Sequence, residues 1–166
     1  MKNYVVPMLP SKDELDKGPI VLMCDLHDLK NYWQVIQPWL KKGAEIDPLF
    51  DAVKATEDIF SGKSQVWVAV NKGKVLGAFC TSILEDVANP GNTCLDVHGL
   101  GGKDYKQWRE AMGKIVRQWA EHNNCHRVIY KARSKAARRF YQTAAGEVKH
   151  VSKCPSTGHE IFEVII

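Results

Sequence analysis

Between Tyr105 and Trp119 the large apolar residues Tyr105, Trp108, Met112, Ile115 and Trp119 recur at spacings of three and four. That spacing lines up one side of an α-helix, which must be buried against a partner surface. It is the strongest amphipathic signal in the chain. It predicts a long helix over about 104–123, with Trp108 and Trp119 on its core side.

The partner surface is written on either side of this helix. Val66-Trp67-Val68-Ala69-Val70 is a short, continuous apolar run rich in β-branched residues, which reads as a strand. Asn71-Lys72-Gly73-Lys74 is a hairpin turn in which Gly73 takes positive φ, and Val75–Leu84 is the return strand. Asn89-Pro90-Gly91-Asn92 is a second turn, followed by a strand over Thr93–His98. Alternation sets Leu95 and Val97 on one face of that strand and Cys94, Asp96 and His98 on the other.

Upstream, Tyr4-Val5-Val6 reads as the first strand, and Pro19–Leu26 is an apolar run whose type stays open. Asp28 is the expected N-cap of a helix carrying Tyr32, Trp33, Val35 and Ile36, limited or kinked by Pro38 and ended at Gly43. Asp47-Pro48 opens a second helix carrying Leu49, Phe50, Val53, Ile59 and Phe60, stopped by Gly62. Downstream come a strand over Arg127–Ala132, a short helix from Ser134 to Gly146, and closing strands over 147–151 and 159–166. The order is strand, two helices, three strands, long helix, strand, helix, two strands, which is a mixed α+β domain over residues 1–166.

Composition excludes several classes. The net charge of +4 is too small and too dispersed to argue for nucleic acid. No stretch approaches the ~20 apolar residues of a membrane span, and Met1–Lys12 lacks the apolar run of a secretory signal. The five cysteines Cys24, Cys80, Cys94, Cys125 and Cys154 form no CxxC pair, which argues against a zinc site, and no metal is expected. Free thiols in such apolar contexts read as small hydrophobes of a reduced, cytoplasmic protein.

Two segments carry chemistry. The first is the passage from strand to helix through His98-Gly99-Leu100-Gly101-Gly102. Backbone N–H groups at a helix start, reached past glycines, form an anion site, and Lys103 adds positive charge. The competing reading is a tight turn that needs glycine dihedrals. The second is Ser134-Lys-Ala-Ala-Arg-Arg-Phe-Tyr-Gln-Thr-Ala-Ala-Gly146. Ser134, then Ala137, then the pair Phe140-Tyr141 resembles a signature of the GNAT superfamily of N-acetyltransferases, with the helix-ending Gly146 one residue late. The element order resembles that family over the whole chain, the residues from about Gln65 onward. In particular the chain resembles the small, divergent GNAT-like proteins of bacteriophages, some of which are virion components.

The resemblance implies a mostly antiparallel mixed sheet flanked by helices. It implies acetyl-CoA as acyl donor, held where the fourth and fifth strands part. The pantetheine arm would pair with the strand around Leu95, Val97 and His98. The pyrophosphate would meet the segment Leu100, Gly101, Gly102 and Lys103, with Ser134 opening the following helix. Tyr141 would be the acid that protonates the departing thiolate, against the alternative of an amphipathic core residue. Glu85, Asp86, Asp96 and His98 are candidates for the base, against the alternative of a polar outer strand face. The segment departs from the family pattern in lacking its Arg-Gly element, which removes positive side chains from the donor site. The basic run Lys131, Arg133, Lys135, Arg138 and Arg139 would face the CoA 3′-phosphate, another polyanion or solvent. The acceptor would be a small-molecule or protein amine. For a phage protein, a phage or host protein is the expected partner, in the host cytoplasm or the virion. A homo-oligomer stays open.

Overall fold

A computed structural model describes residues 17–44, 51–132, 148–153 and 160–166. Their strands form one seven-stranded mixed sheet. In chain order the strands are β1 (Ile20–Cys24), β2 (Ser64–Asn71), β3 (Lys74–Glu85), β4 (Thr93–Gly102), β5 (Cys125–Ala132), β6 (Val148–Lys153) and β7 (Glu160–Ile165). The helices are α1 (Leu26–Ala44), α2 (Ala52–Phe60) and α3 (Tyr105–His122). The sheet order is β1-β2-β3-β4-β5-β7-β6, and every neighbouring pair is antiparallel except β4 with β5.

Several expectations are corrected. The sheet's first strand among the described residues is Ile20–Cys24, out of the apolar run left open; Tyr4–Val6 lies outside the described residues. The cap of α1 is Asp25, whose carboxylate accepts from the Asp28 N–H at 2.7 Å, so Asp28 sits in the first turn. Pro38 does not end this helix, which runs on past Gly43 to Ala44. Asp51 is extended and accepts from the N–H groups of Val53 and Lys54, so α2 starts at Ala52; Asp47–Phe50 lies outside the described residues. The hairpin at Lys72-Gly73 has positive φ at both residues (48° and 76°), the twist that matches two antiparallel strands.

The helices cover opposite faces. Trp108, Met112, Val116 and Trp119 of α3 press on Trp67, Phe79, Leu95, Val97 and Val128. Leu29, Ile36 and Leu40 of α1 and Ile59 of α2 press on Val66, Val68, Ala78 and Cys80. The alternation expected for β4 is what divides them: Leu95 and Val97 go into the α3 core, and His98 turns to the α1–α2 side.

Candidate active site

The site is made by two strands that begin together and separate. β4 and β5 pair in parallel from Thr93↔Cys125 to Val97↔Tyr130. Beyond that pair β4 continues to Gly102 along β3, and β5 continues to Ala132 along β7. Among the described residues a gap therefore opens between two strands that are each paired on the far side.

A β-bulge marks the parting. His98 pairs with Cys80 and Gly101 with Ala78, so Gly99 and Leu100 together stand opposite Phe79. The extra residue takes φ +65° at Gly99, where a side chain would be strained. The strand expected to end at His98 thus runs on through the glycine segment to Gly102, a correction with a clear cause. Helix α1 lies directly on this stretch. A Cβ on Gly101 would meet the Trp39 carbonyl oxygen at 2.7 Å, and one on Gly99 the Leu40 carbonyl oxygen at 3.3 Å. A Cβ on Gly43 would collide with the backbone of Gly99 and Leu100. At Gly102 a Cβ would collide with Gly77 and Leu76 of β3. Close backbone approach is what these glycines supply.

The candidate donor residues divide accordingly. Leu95 and Val97 have neighbouring strands on both sides and buried side chains, so the open edge starts at His98. Leu100, Gly101 and Gly102 belong to that edge. The Lys103 N–H donates to the Leu76 carbonyl at 2.7 Å, and its own carbonyl accepts from Trp108 Nε1 at 2.9 Å, which leaves its exposed ammonium for a ligand. Asp104 stands at the N-cap of α3 with φ 50° and no capping bond from its side chain. Ser134 and Tyr141 lie outside the described residues, as does the basic run from Arg133 to Arg139.

Of the candidate bases, His98 lines a pocket between the helices and the sheet. A cavity of about 110 Å³ lies between α1, α2 and the sheet, walled by Trp33, Gln37, Leu40, Lys41, Cys80 and His98 among others. The His98 ring is held there by Ser82, with Nε2 and Oγ 2.9 Å apart. Asp96 is half-buried two residues earlier on β4, in register with Ser82 and Ile129. Glu85 is exposed and pairs with Thr93, at the opposite end of β4. Strand rise puts it roughly 16 Å from His98, too far to serve the gap. Asp86 is buried and committed elsewhere. Both its oxygens bind Arg127, at 2.9 and 2.7 Å, and Arg127 also binds Glu163. The Arg127 guanidinium holds the Asp86 carboxyl below the usual carboxylate range. This trio ties the turn after β3 to β5 and β7.

Sequence reading missed Ser82 and its neighbour Ser64, whose hydroxyls lie 2.8 Å apart. Nothing in their local sequence marks them, because their role arises only from strand register. Trp33 packs edge-on to Phe60 at 5.3 Å and walls the pocket.

A seven-stranded sheet that parts between its two parallel strands, with a bulge at the parting, is distinctive enough to compare. The GNAT domain of the S. lividans protein PAT superposes with a TM-score of 0.60 at 11% identity, over 88% of this chain and 89% of that one. This chain has the GNAT fold. A probable acetyltransferase from Staphylococcus epidermidis matches with a TM-score of 0.57 at 13% identity, over 89% and 98% of the two chains. A chain of the NatC complex bound to Gag peptide and CoA matches with a TM-score of 0.66 at 8% identity, over 90% and 99%. No protein-family model and no curated protein sequence matches the chain. Among the described residues no helix is long and apolar enough to cross a membrane.

Proposed function

We propose that this protein is an acyl-CoA-dependent N-acyltransferase that moves an acetyl group to an amine. One observation carries the reading: the open edge of β4 beyond Val97 runs past a pocket that holds His98. Along that edge the backbone of His98–Gly102 takes the pantetheine arm as a strand would. The pyrophosphate lies at the start of α3, whose N-cap side chain makes no capping bond, with the Lys103 ammonium beside it. The absence of side chains at Gly101 and Gly102 does not widen this cradle, because their missing Cβ atoms are spent on α1 and β3. Backbone donors and one lysine therefore do the holding.

The acceptor amine enters from the α1–α2 side. His98 takes its proton, Asp96 adds negative charge on the same strand, and Tyr141 returns a proton to the departing thiolate. The structural neighbour from a complex with CoA supports the donor class. A second reading, a non-catalytic GNAT-like phage structural or host-interaction protein, draws support from one observation. The Lys103 N–H, a natural phosphate donor, is already bonded to Leu76.

Calorimetry with acetyl-CoA separates the two. The enzyme reading expects micromolar binding that Lys103→Glu weakens about tenfold by reversing one charge at the phosphates. No heat at millimolar acetyl-CoA sinks it and leaves the non-catalytic reading.

A further inference from the structure

The hydrogen-bonded chain that starts at His98 continues beyond the pocket. His98 on β4 pairs with Cys80, so its ring reaches diagonally to Ser82, two residues further along β3. Ser82 in turn directly faces Ser64 of β2, with the two oxygens 2.8 Å apart. Ser64 is buried and lines a second cavity, of about 200 Å³, with Asp25, Leu26, Ile59 and Trp119 in its wall. The first cavity touches α1 between Trp33 and Lys41 and α2 between Ala52 and Thr56; the second touches Leu26 and Leu29 of α1 and Ile59 of α2. Three side chains, each able to give and to accept a proton, thus link two cavities beneath the same pair of helices. Around the chain Val66, Val68, Ala78 and Cys80 of the same face are all buried. Among the described residues, the titratable or charged groups around the chain are Lys41 of α1 and Cys80 of β3 beside His98, Asp96 on β4, and Asp25 and Cys24 at the second cavity.

We propose that His98, Ser82 and Ser64 form a proton relay from the acceptor pocket to the second cavity. The proposal rests on the acyltransferase reading and deepens it. An ammonium and a thioester give an amide, a thiol and one proton, and that proton is the cargo. The N–H bond of the ammonium breaks as His98 Nδ1 gains the proton. Nε2–H passes its proton to Ser82 Oγ, Ser82 passes its own to Ser64 Oγ, and Ser64 gives its own to solvent in the second cavity. One proton enters, one leaves, and no group keeps a charge. His98 ends in the other tautomer and resets by exchange with solvent once product leaves. His98 touches substrate; Ser82 and Ser64 act through it and are positioning residues.

The test follows acetyl transfer from acetyl-CoA to a set of small primary amines, with the full chain, between about pH 6 and pH 9. Ser64→Ala is expected to lower kcat about tenfold, most at the acid end, with the KM for acetyl-CoA unchanged. Ser64→Thr, which restores a hydroxyl, is expected to recover the rate, as is added imidazole with the alanine variant. The unaltered protein provides a second measurement in mixtures of light and heavy water. A relay gives a bowed dependence of kcat on deuterium fraction, because several protons move together; a straight line overturns it whatever the variants do. Parent-like turnover by Ser64→Ala at every pH also overturns the relay and leaves the acyltransferase reading standing. A chain that binds no acetyl-CoA takes both down. One that binds it and acetylates none of the amines overturns the relay and leaves donor binding intact.

Discussion

Toward α3 the sheet buries Trp67, Phe79, Leu95 and Val128 under Trp108, Met112 and Trp119; toward α1 and α2 it buries Val66, Val68, Ala78 and Cys80. The first face is filled by aromatic rings in contact. Trp67 stacks on Phe79 at 6.0 Å between centroids and takes the edge of Trp119 at 5.6 Å. Its indole N–H donates to Thr81, which donates to Gln65, so its polar atoms are matched inside the core. The second face uses smaller residues and leaves cavities, and its polar chain of His98, Ser82 and Ser64 runs between them. Volume is what separates the two. Large rings in contact fill one side, which holds the sheet; smaller sheet side chains on the other leave space beneath the helices. The same β4 strand serves both, by sending alternate residues each way.

The largest test of this contrast is Trp67→Ala. Removing a fully buried indole from the α3 face is expected to cost about 3–5 kcal/mol, read as a lower urea midpoint. A loss under about 1 kcal/mol would mean that the aromatic face is not what holds the sheet. The next is Gly43→Ala, on the other face. The added methyl meets backbone at Gly99 and Leu100, which cannot rotate aside as a side chain can. It is expected to cost about 1–3 kcal/mol and to weaken acetyl-CoA binding, since the open edge of β4 is the strand it displaces. Unchanged stability together with unchanged acetyl-CoA binding would show that α1 does not set the shape of the gap.

What was legible in the sequence follows the same division. The α3 face was readable because helical spacing and strand alternation are local patterns, and Trp108, Trp119, Leu95 and Val97 all lie where those patterns put them. The split of Leu95 and Val97 from His98 came from alternation alone. The sequence ends β4 at His98, short of Gly102, because the chain's need for glycine is identical in a turn and under a helix. Only the position of α1, a long-range fact, distinguishes them. Asp28 was taken for the cap in place of Asp25 because Pro19–Leu26 gave no period, so the end of β1 and the start of α1 could not be set. Glu85 looked like a cleft residue because strand ends near a gap supply acids. The pairing with Thr93 puts it at the wrong end. His98 meets Ser82, and Ser82 meets Ser64, only because the two hairpins close in the register they do.

Cys80 gives the smallest effect and the sharpest probe of the α1–α2 face. Its thiol borders the His98 pocket, yet it is buried, and burial pushes its pKa up to about 12. A raised thiol pKa means that the neutral form persists until the pH approaches that value. At pH 8 only about one such thiol in 10⁴ is thiolate. In the native protein, iodoacetamide is therefore expected to leave Cys80 unlabelled at pH 8, and peptide mapping tells this site from the other cysteines. Denaturant is expected to release it within minutes. Cys80→Ala is expected to leave acetyl transfer within about twofold, because a small apolar filler is replaced by another. Rapid native labelling at Cys80 would mean that solvent reaches the floor of the pocket. His98 would then meet bulk water directly, and the contrast between a dry polar chain and a wet surface would fail at the residue beside it.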